Sequence, residues 1–444
     1  MKQPIQLTGK RLSLRQQHRT GSFFLMTLLL LTTASLFVLR AISLKQIISP
    51  FEATAVPTRT SYSYALEGET HFSAGNLPAA IEAYNQATRQ DPNDAQLWSE
   101  LARIQTYSSA MLTTDAERRE RMQEALLSIN NAVKLAPEDG AVHAFRAFVL
   151  DWSASTMTTA DQVQALLTEA EQEAVRGLQL DNQNALALAY YAEILVDQQK
   201  WMQAEQIINQ AKEKDDTLMD VHRVSAVVQE SLANYAEAIR SYKRAAELAP
   251  NMTFLYISIG ANYRQLRQYD VALEWFAKAA TINKQLGVKD PIPYLAIGRT
   301  YSQIVEFFAA ARNVRNALDL TPRNPEVYGS LGVVYFKARN YESAIPALQC
   351  AVRGCDAKTS CEVRQCDDEL NPAIEITGLE LTINTAVYYY TYGSVLAGMH
   401  RPYNNYCEEG VKVLRDVRQA FGGDKDIIAI IAPSEQICAS FGYE

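Results

Sequence analysis

Four of the chain's six cysteines fall in one short run, CAVRGCDAKTSCEVRQC, at Cys350, Cys355, Cys361 and Cys366; Cys407 and Cys438 follow toward the C-terminus. Clustered thiols can ligate a metal as thiolates, oxidise to disulfides, or act as nucleophiles. Structural zinc sites generally space paired ligands by about two to four residues. Here four, five and four residues separate the successive cysteines, and His400 is the only histidine near them in sequence. All six become disulfide candidates if the region lies in an oxidising compartment. Cys350 and Cys355 would be poor partners for each other if both lay on helix, because five helical residues rise by about 7.5 Å. A metal or redox role for the run stays open on the sequence alone.

Other chemistry is sparse. The sequence contains no G-x-x-x-x-G-K-[ST] loop, G-x-G-x-x-G turn, H-E-x-x-H helix or G-x-S-x-G elbow. Of the histidines, His71, His143 and His222 fall in helical apolar periodicity, where a packed imidazole is the ordinary state, and His18 lies in a basic leader. The many carboxylates read as solvated helix faces. No catalytic, cofactor-binding or metal site is therefore expected, and the chain is not read as an enzyme.

The elements that position the cysteines begin with charge. The formal charge is −8 over 444 residues, but residues 1–50 hold seven Lys and Arg and no acid, so the remainder carries −15. Such an acidic body argues against a nucleic-acid partner. The basic leader, residues 1–22, precedes the uncharged run FFLMTLLLLTTASLFVL, Phe23 to Leu39, which Ile42 and Leu44 extend. Its length and lack of amphipathic period suit a transmembrane signal anchor at 23–44, followed by a linker at 45–61. The positive flank is N-terminal, which predicts a cytoplasmic N-terminus and an extracytoplasmic body. A cleaved signal peptide, releasing a secreted module, is the alternative; no A-x-A-like cleavage site follows the run.

Beyond the linker one pattern recurs. Ala80, Ala125, Ala170, Ala204, Ala238, Ala272, Ala310 and Ala344 are spaced by 45, 45, 34, 34, 34, 38 and 34 residues. Seven residues after each stands another small residue: Ala87, Ala132, Gly177, Ala211, Ala245, Ala279, Ala317 and Ala351. Glycine or alanine also precedes several by twelve, as at Gly68, Ala192, Ala226, Gly260 and Gly332. Small residues in this register let two helix axes approach, and Tyr84, Tyr242 and Phe276, four residues after the alanine, fill the gaps. Pro92, Pro137, Pro250 and Pro322 mark the ends of second helices.

This layout resembles the tetratricopeptide repeat. YISIGANYRQLRQYDVALEWFAKAATI carries the family's pattern at Tyr256, Ile259, Gly260, Tyr263, Ala272, Phe276 and Ala279, and YLAIGRTY and YGSLGVVYFKARNYESAIPAL match it as well. The resemblance implies an all-α, right-handed superhelical solenoid of helix-turn-helix units over 62–352, a non-catalytic scaffold, and a protein or peptide ligand in a concave groove. First-helix positions carried over from the family give Arg223, Val227, Phe254, Ile257, Arg264, Ile292, Leu295, Arg299, Val333, Phe336 and Lys337 as groove candidates. Those arginines could instead pair with neighbouring acids. Family members that clamp a chaperone's C-terminal carboxylate place a basic residue and an asparagine four apart; here the equivalent pairs are Ile257/Ala261, Leu295/Arg299 and Gly329/Val333, so that clamp is absent.

Two departures stand out. The 45-residue steps each add eleven residues, about three helical turns, which predicts lengthened second helices starting at a Thr114/Glu117 capping box and near Thr158 or Thr159. After Ala351 the rhythm breaks. Ile374 and Ile376, then Leu379, Leu381 and Ile383, alternate about Thr377-Gly378 and predict a small β-hairpin. A Cys-rich hairpin insert is thus expected at 353–385, capping the eighth repeat, with a degenerate ninth repeat and a capping helix at 386–444.

Overall fold

The computed structural model describes residues 21–44, 59–366 and 371–443. Most of the basic leader and of the linker lies outside them. The chain divides into two units, Met1–Arg59 and Thr60–Glu444. In the first, α1 (Ser22–Ser43) is long and apolar enough to cross a membrane.

Every named element of the second unit is a helix, and its described residues form no strands. Eight helical pairs follow in order: α2 (Ser61–Ser73) with α3 (Leu77–Gln90), and α4 (Ala95–Ser109) with α5 (Asp115–Leu135). Next come α6 (Gly140–Ala154) with α7 (Ala160–Leu180), and α8 (Ala185–Asp197) with α9 (Trp201–Lys214). Then α10 (Met219–Ser231) pairs with α11 (Tyr235–Leu248), and α12 (Thr253–Gln265) with α13 (Tyr269–Leu286). Finally α14 (Ile292–Gln303) pairs with α15 (Phe307–Leu320), and α16 (Pro325–Lys337) with α17 (Tyr341–Val352). The short α18 (Ala357–Arg364) precedes a ninth pair, α19 (Ala386–Met399) and α20 (Cys407–Phe421), and α21 (Lys425–Ser440) ends the array.

The register of small residues is what holds the pairs together. All eight alanines of the first series are 0% exposed, as are the seven alanines that follow them. A Cβ on Gly68, Gly260, Gly298 or Gly332 would stand 2.4–2.7 Å from the side chain sixteen residues later, Tyr84, Phe276, Val314 or Leu348. At these four positions glycine lets the side chain of the second helix pack flat on the first, while Ala192 and Ala226 hold the same register opposite Ile208 and Tyr242. α3, α5, α11 and α15 each end two residues before the proline that stops them.

The lengthened helices are present but shorter than expected. α5 and α7 have 21 residues where α3, α9, α11 and α15 have 14, so seven of the eleven inserted residues, about two turns, lie in the second helix. Of the other four, two lengthen the first helices α4 and α6, which have 15 residues where α2, α8 and α10 have 13, and two lengthen the turn. Thr114 and Glu117 form the reciprocal capping box, and Thr159 caps α7.

The β-hairpin is not there. Ile376 pairs with Cys355 in one antiparallel bridge, and the Leu379 N–H donates to the Ala351 carbonyl at 2.8 Å. The two apolar runs thus line the end of α17 instead of each other. Nor does the insert cap the eighth repeat: α19 packs directly on α16 and α17, with the Tyr388 ring lying over Gly329.

Candidate functional site

The six cysteines form three disulfides, Cys350–Cys355, Cys361–Cys366 and Cys407–Cys438. The first pair escapes the separation that a shared helix would impose, because Cys355 lies beyond the end of α17. α17 ends at Val352, and Gly354 at φ +80° turns the chain back, so their Cα atoms are 4.6 Å apart. Gln365, left-handed at φ 56°, does the same for Cys366 after α18. Cys407 and Cys438 join the start of α20 to the end of α21, and both are buried. The His400 Nδ1 accepts the Cys407 N–H at 3.1 Å, so this histidine serves the start of α20. Among the described residues no group of His, Cys, Asp or Glu is arranged to hold a metal.

The first helices line the interior of the array, and the array closes on itself there. Tyr107 of α4 stacks on Phe254 of α12, with centroids 5.6 Å apart and planes 13° from parallel. The Tyr107 hydroxyl donates to Asp220 on α10. The Arg223 guanidinium, 3% exposed, donates to both Glu193 oxygens at 2.5 and 2.7 Å and to Asp220 at 3.2 Å. It sits over the rings of Tyr107, Phe148 and Trp152. These contacts form a plug through repeats two to six, drawing on α4, α6, α8, α10 and α12.

The tall second repeat also reaches across. Asn324 donates to Thr113, Thr382 and Asn384 donate to Asp115, and Arg119 pairs with Glu380 at 2.8 Å. The α4–α5 turn is thereby tied to α16 and to the Cys-rich segment. No local sequence signal marks this closure; the two 45-residue steps are the nearest hint.

Two cavities remain beside the turn. The smaller, about 310 Å³, holds Arg223, Val227, Phe254, Ile257 and Ile292 in its wall, together with Asp290. Burial raises the Asp290 carboxyl to about 6, against hydrogen bonds from the Ile292 N–H and the Asn283 amide. The larger, about 590 Å³, brings together Ile257, Arg264, Ile292, Leu295, Arg299, Val333 and Lys337, with the 110–118 turn as its roof. Phe336 instead packs against Tyr341, with centroids 5.8 Å apart. One carboxylate, Glu326, lines the larger cavity; burial raises its pKa, and the Tyr388 hydroxyl donates to it at 2.6 Å. Burial and the nearby Arg299 both lower the Arg264 pKa. Its Nη1 and the Ser302 Oγ, also in the wall, are buried without hydrogen-bond partners.

Comparison with known proteins agrees with this register. Residues 68–105 match the TPR repeat family, and 226–286 and 295–358 match the tetratricopeptide repeat family. The chain thus carries tetratricopeptide repeats, which generally mediate protein–protein interaction. Similar solved structures include a thermophilic TPR protein of Thermus thermophilus, 16% identical, covering 46% of this chain and 98% of that one, with a TM-score of 0.38. Another is a tetratricopeptide repeat protein of Parabacteroides merdae, 18% identical, covering 62% of this chain and 98% of that one, with a TM-score of 0.36. No curated protein sequence matches the chain.

Proposed function

We propose that the protein is a non-catalytic scaffold, held in the membrane by α1 with its repeat array outside the cytoplasm, and that it engages a protein partner through the concave side of repeats six to eight. The larger cavity carries this reading. Repeats two to six fill their own interior with the Tyr107–Arg223–Phe254 plug, whereas α12, α14 and α16 leave apolar and cationic side chains facing open space. Three disulfides support an oxidising compartment, and the basic leader before α1 supports a cytoplasmic N-terminus.

Photocrosslinking in native membranes tests the reading. A benzoylphenylalanine at Leu295, inside the cavity, is expected to give one discrete protein adduct, while the same group at the exposed Leu127 gives none. The absence of an adduct at Leu295, or the same adduct from both positions, would contradict it.

A further inference from the structure

We infer that the larger cavity receives a short acidic anchor of the partner, a carboxylate flanked by apolar side chains, and excludes a long extended strand. The inference rests on the reading that a protein partner docks on repeats six to eight. Charge is its first support. Arg264, Arg299 and Lys337 converge from α12, α14 and α16 on one cavity, in an array that otherwise carries net negative charge. Among the described residues none of the three makes an ion pair with a protein carboxylate. The single wall carboxylate, Glu326, is already hydrogen-bonded by Tyr388.

Unsatisfied hydrogen bonding is the second support. The buried Arg264 Nη1 lacks an acceptor, and Arg299 opposes its charge. A carboxylate bridging the two guanidiniums would supply that acceptor and remove the repulsion, and arginine's planar fork suits carboxylate oxygens. The Ser302 Oγ offers one more donor. Ile257, Leu295 and Val333 provide the apolar wall that flanking side chains would cover.

The roof limits length. The α4–α5 turn is fixed on one side by Thr113 to Asn324 and on the other by Asp115 to Thr382 and Asn384. A strand running along the groove would have to break both ties. A space of about 590 Å³ lies within the usual range for small-ligand pockets, about 300–1,000 Å³, and admits a few side chains.

The test uses the full-length protein in detergent and two fluorescein-labelled pentapeptide amides, FDLEF and its neutral counterpart FNLQF, followed by fluorescence anisotropy. The acidic peptide is expected to bind at least about tenfold more tightly, and Arg264→Gln or Arg299→Gln to remove most of that preference. Arg264→Lys, which keeps the charge, should retain part of it and shows that the site still folds. Equal binding of both peptides, lost in Leu295→Trp, would overturn the acidic anchor while leaving the docking reading intact. Acidic preference unchanged by either glutamine variant would also overturn it, placing the charge recognition elsewhere. If neither peptide binds, and Leu295 gives no crosslinked partner, both readings fall together.

Discussion

Arg223 separates a structural plug from an open groove. In Arg223→Met the apolar stem survives, but Glu193 and Asp220, 6% and 5% exposed, lose their counter-charge. Removing one partner of a buried ion pair costs about 3–5 kcal/mol, because the remaining charge stays desolvated and unpaired. Asp151, 2% exposed, adds to the strain: burial, Asp197 and Glu193 already raise its pKa, and Arg223 is the charge opposing that rise. Neutralising Glu193 as well, in Arg223→Met/Glu193→Gln, should recover part of the loss, with a coupling of about 1–3 kcal/mol. Long repeat arrays can lose two-state cooperativity, so the assay is native-state hydrogen exchange on α6, α8 and α10, which reads the local opening free energy. Protection should fall by about two to four orders of magnitude in the single variant, following that 3–5 kcal/mol, and rise again in the double. A single variant costing less than about 1 kcal/mol, the range of exposed pairs, would refute the plug and return Arg223 to a solvated groove.

Three further outcomes follow from the same structure. Val305 holds φ 69° at the α14–α15 turn, where Gly75 stands in the first repeat; Val305→Gly should raise stability by about 1 kcal/mol in urea unfolding, since a left-handed β-branched residue is strained. Reduction-resistant serine replacements should rank by loop length: losing Cys407–Cys438, 31 residues apart, costs about 3.7 kcal/mol, and losing Cys350–Cys355, five apart, about 2, measured by thermal unfolding of each pair variant. The Asp290 carboxyl is raised to about 6, so its contribution is fully present below about pH 4 and is lost as pH rises through 6. Relative to wild type, Asp290→Asn should therefore gain about 3 kcal/mol between pH 4 and 7, and a pH-independent difference would contradict the assignment.

The repeat register was legible because close helix packing admits only small residues, and Ala80 to Ala351 repeat that demand at nearly constant spacing. The closure was not. Whether Tyr107 meets Phe254, or Asp115 meets Thr382, depends on small rotations summed over four or more repeats, which no local pattern encodes. Among the groove candidates, Arg264, Leu295 and Arg299 meet at one cavity, while Arg223 and Phe254 also belong to the plug. The alternation from Ile374 to Leu381 does reflect a segment packed on one side, with Ile376 buried, but Ile383 is exposed in the turn before α19, and period two does not name the pairing partner. Cys350–Cys355 was obscured for a related reason, because the helix end and left-handed Gly354 decide the distance. The left-handed Gln199, Ala233, Arg267, Val305 and Arg339 recur at the repeat spacing, yet their side chains give no sign of it.

Counting thiols on protein extracted from native membranes without reductant tests the account most directly. Maleimide mass tagging should add nothing before reduction and six tags after it, as three disulfides in an extracytoplasmic array require. Six tags before reduction would return the array to a reducing compartment and contradict the proposed topology.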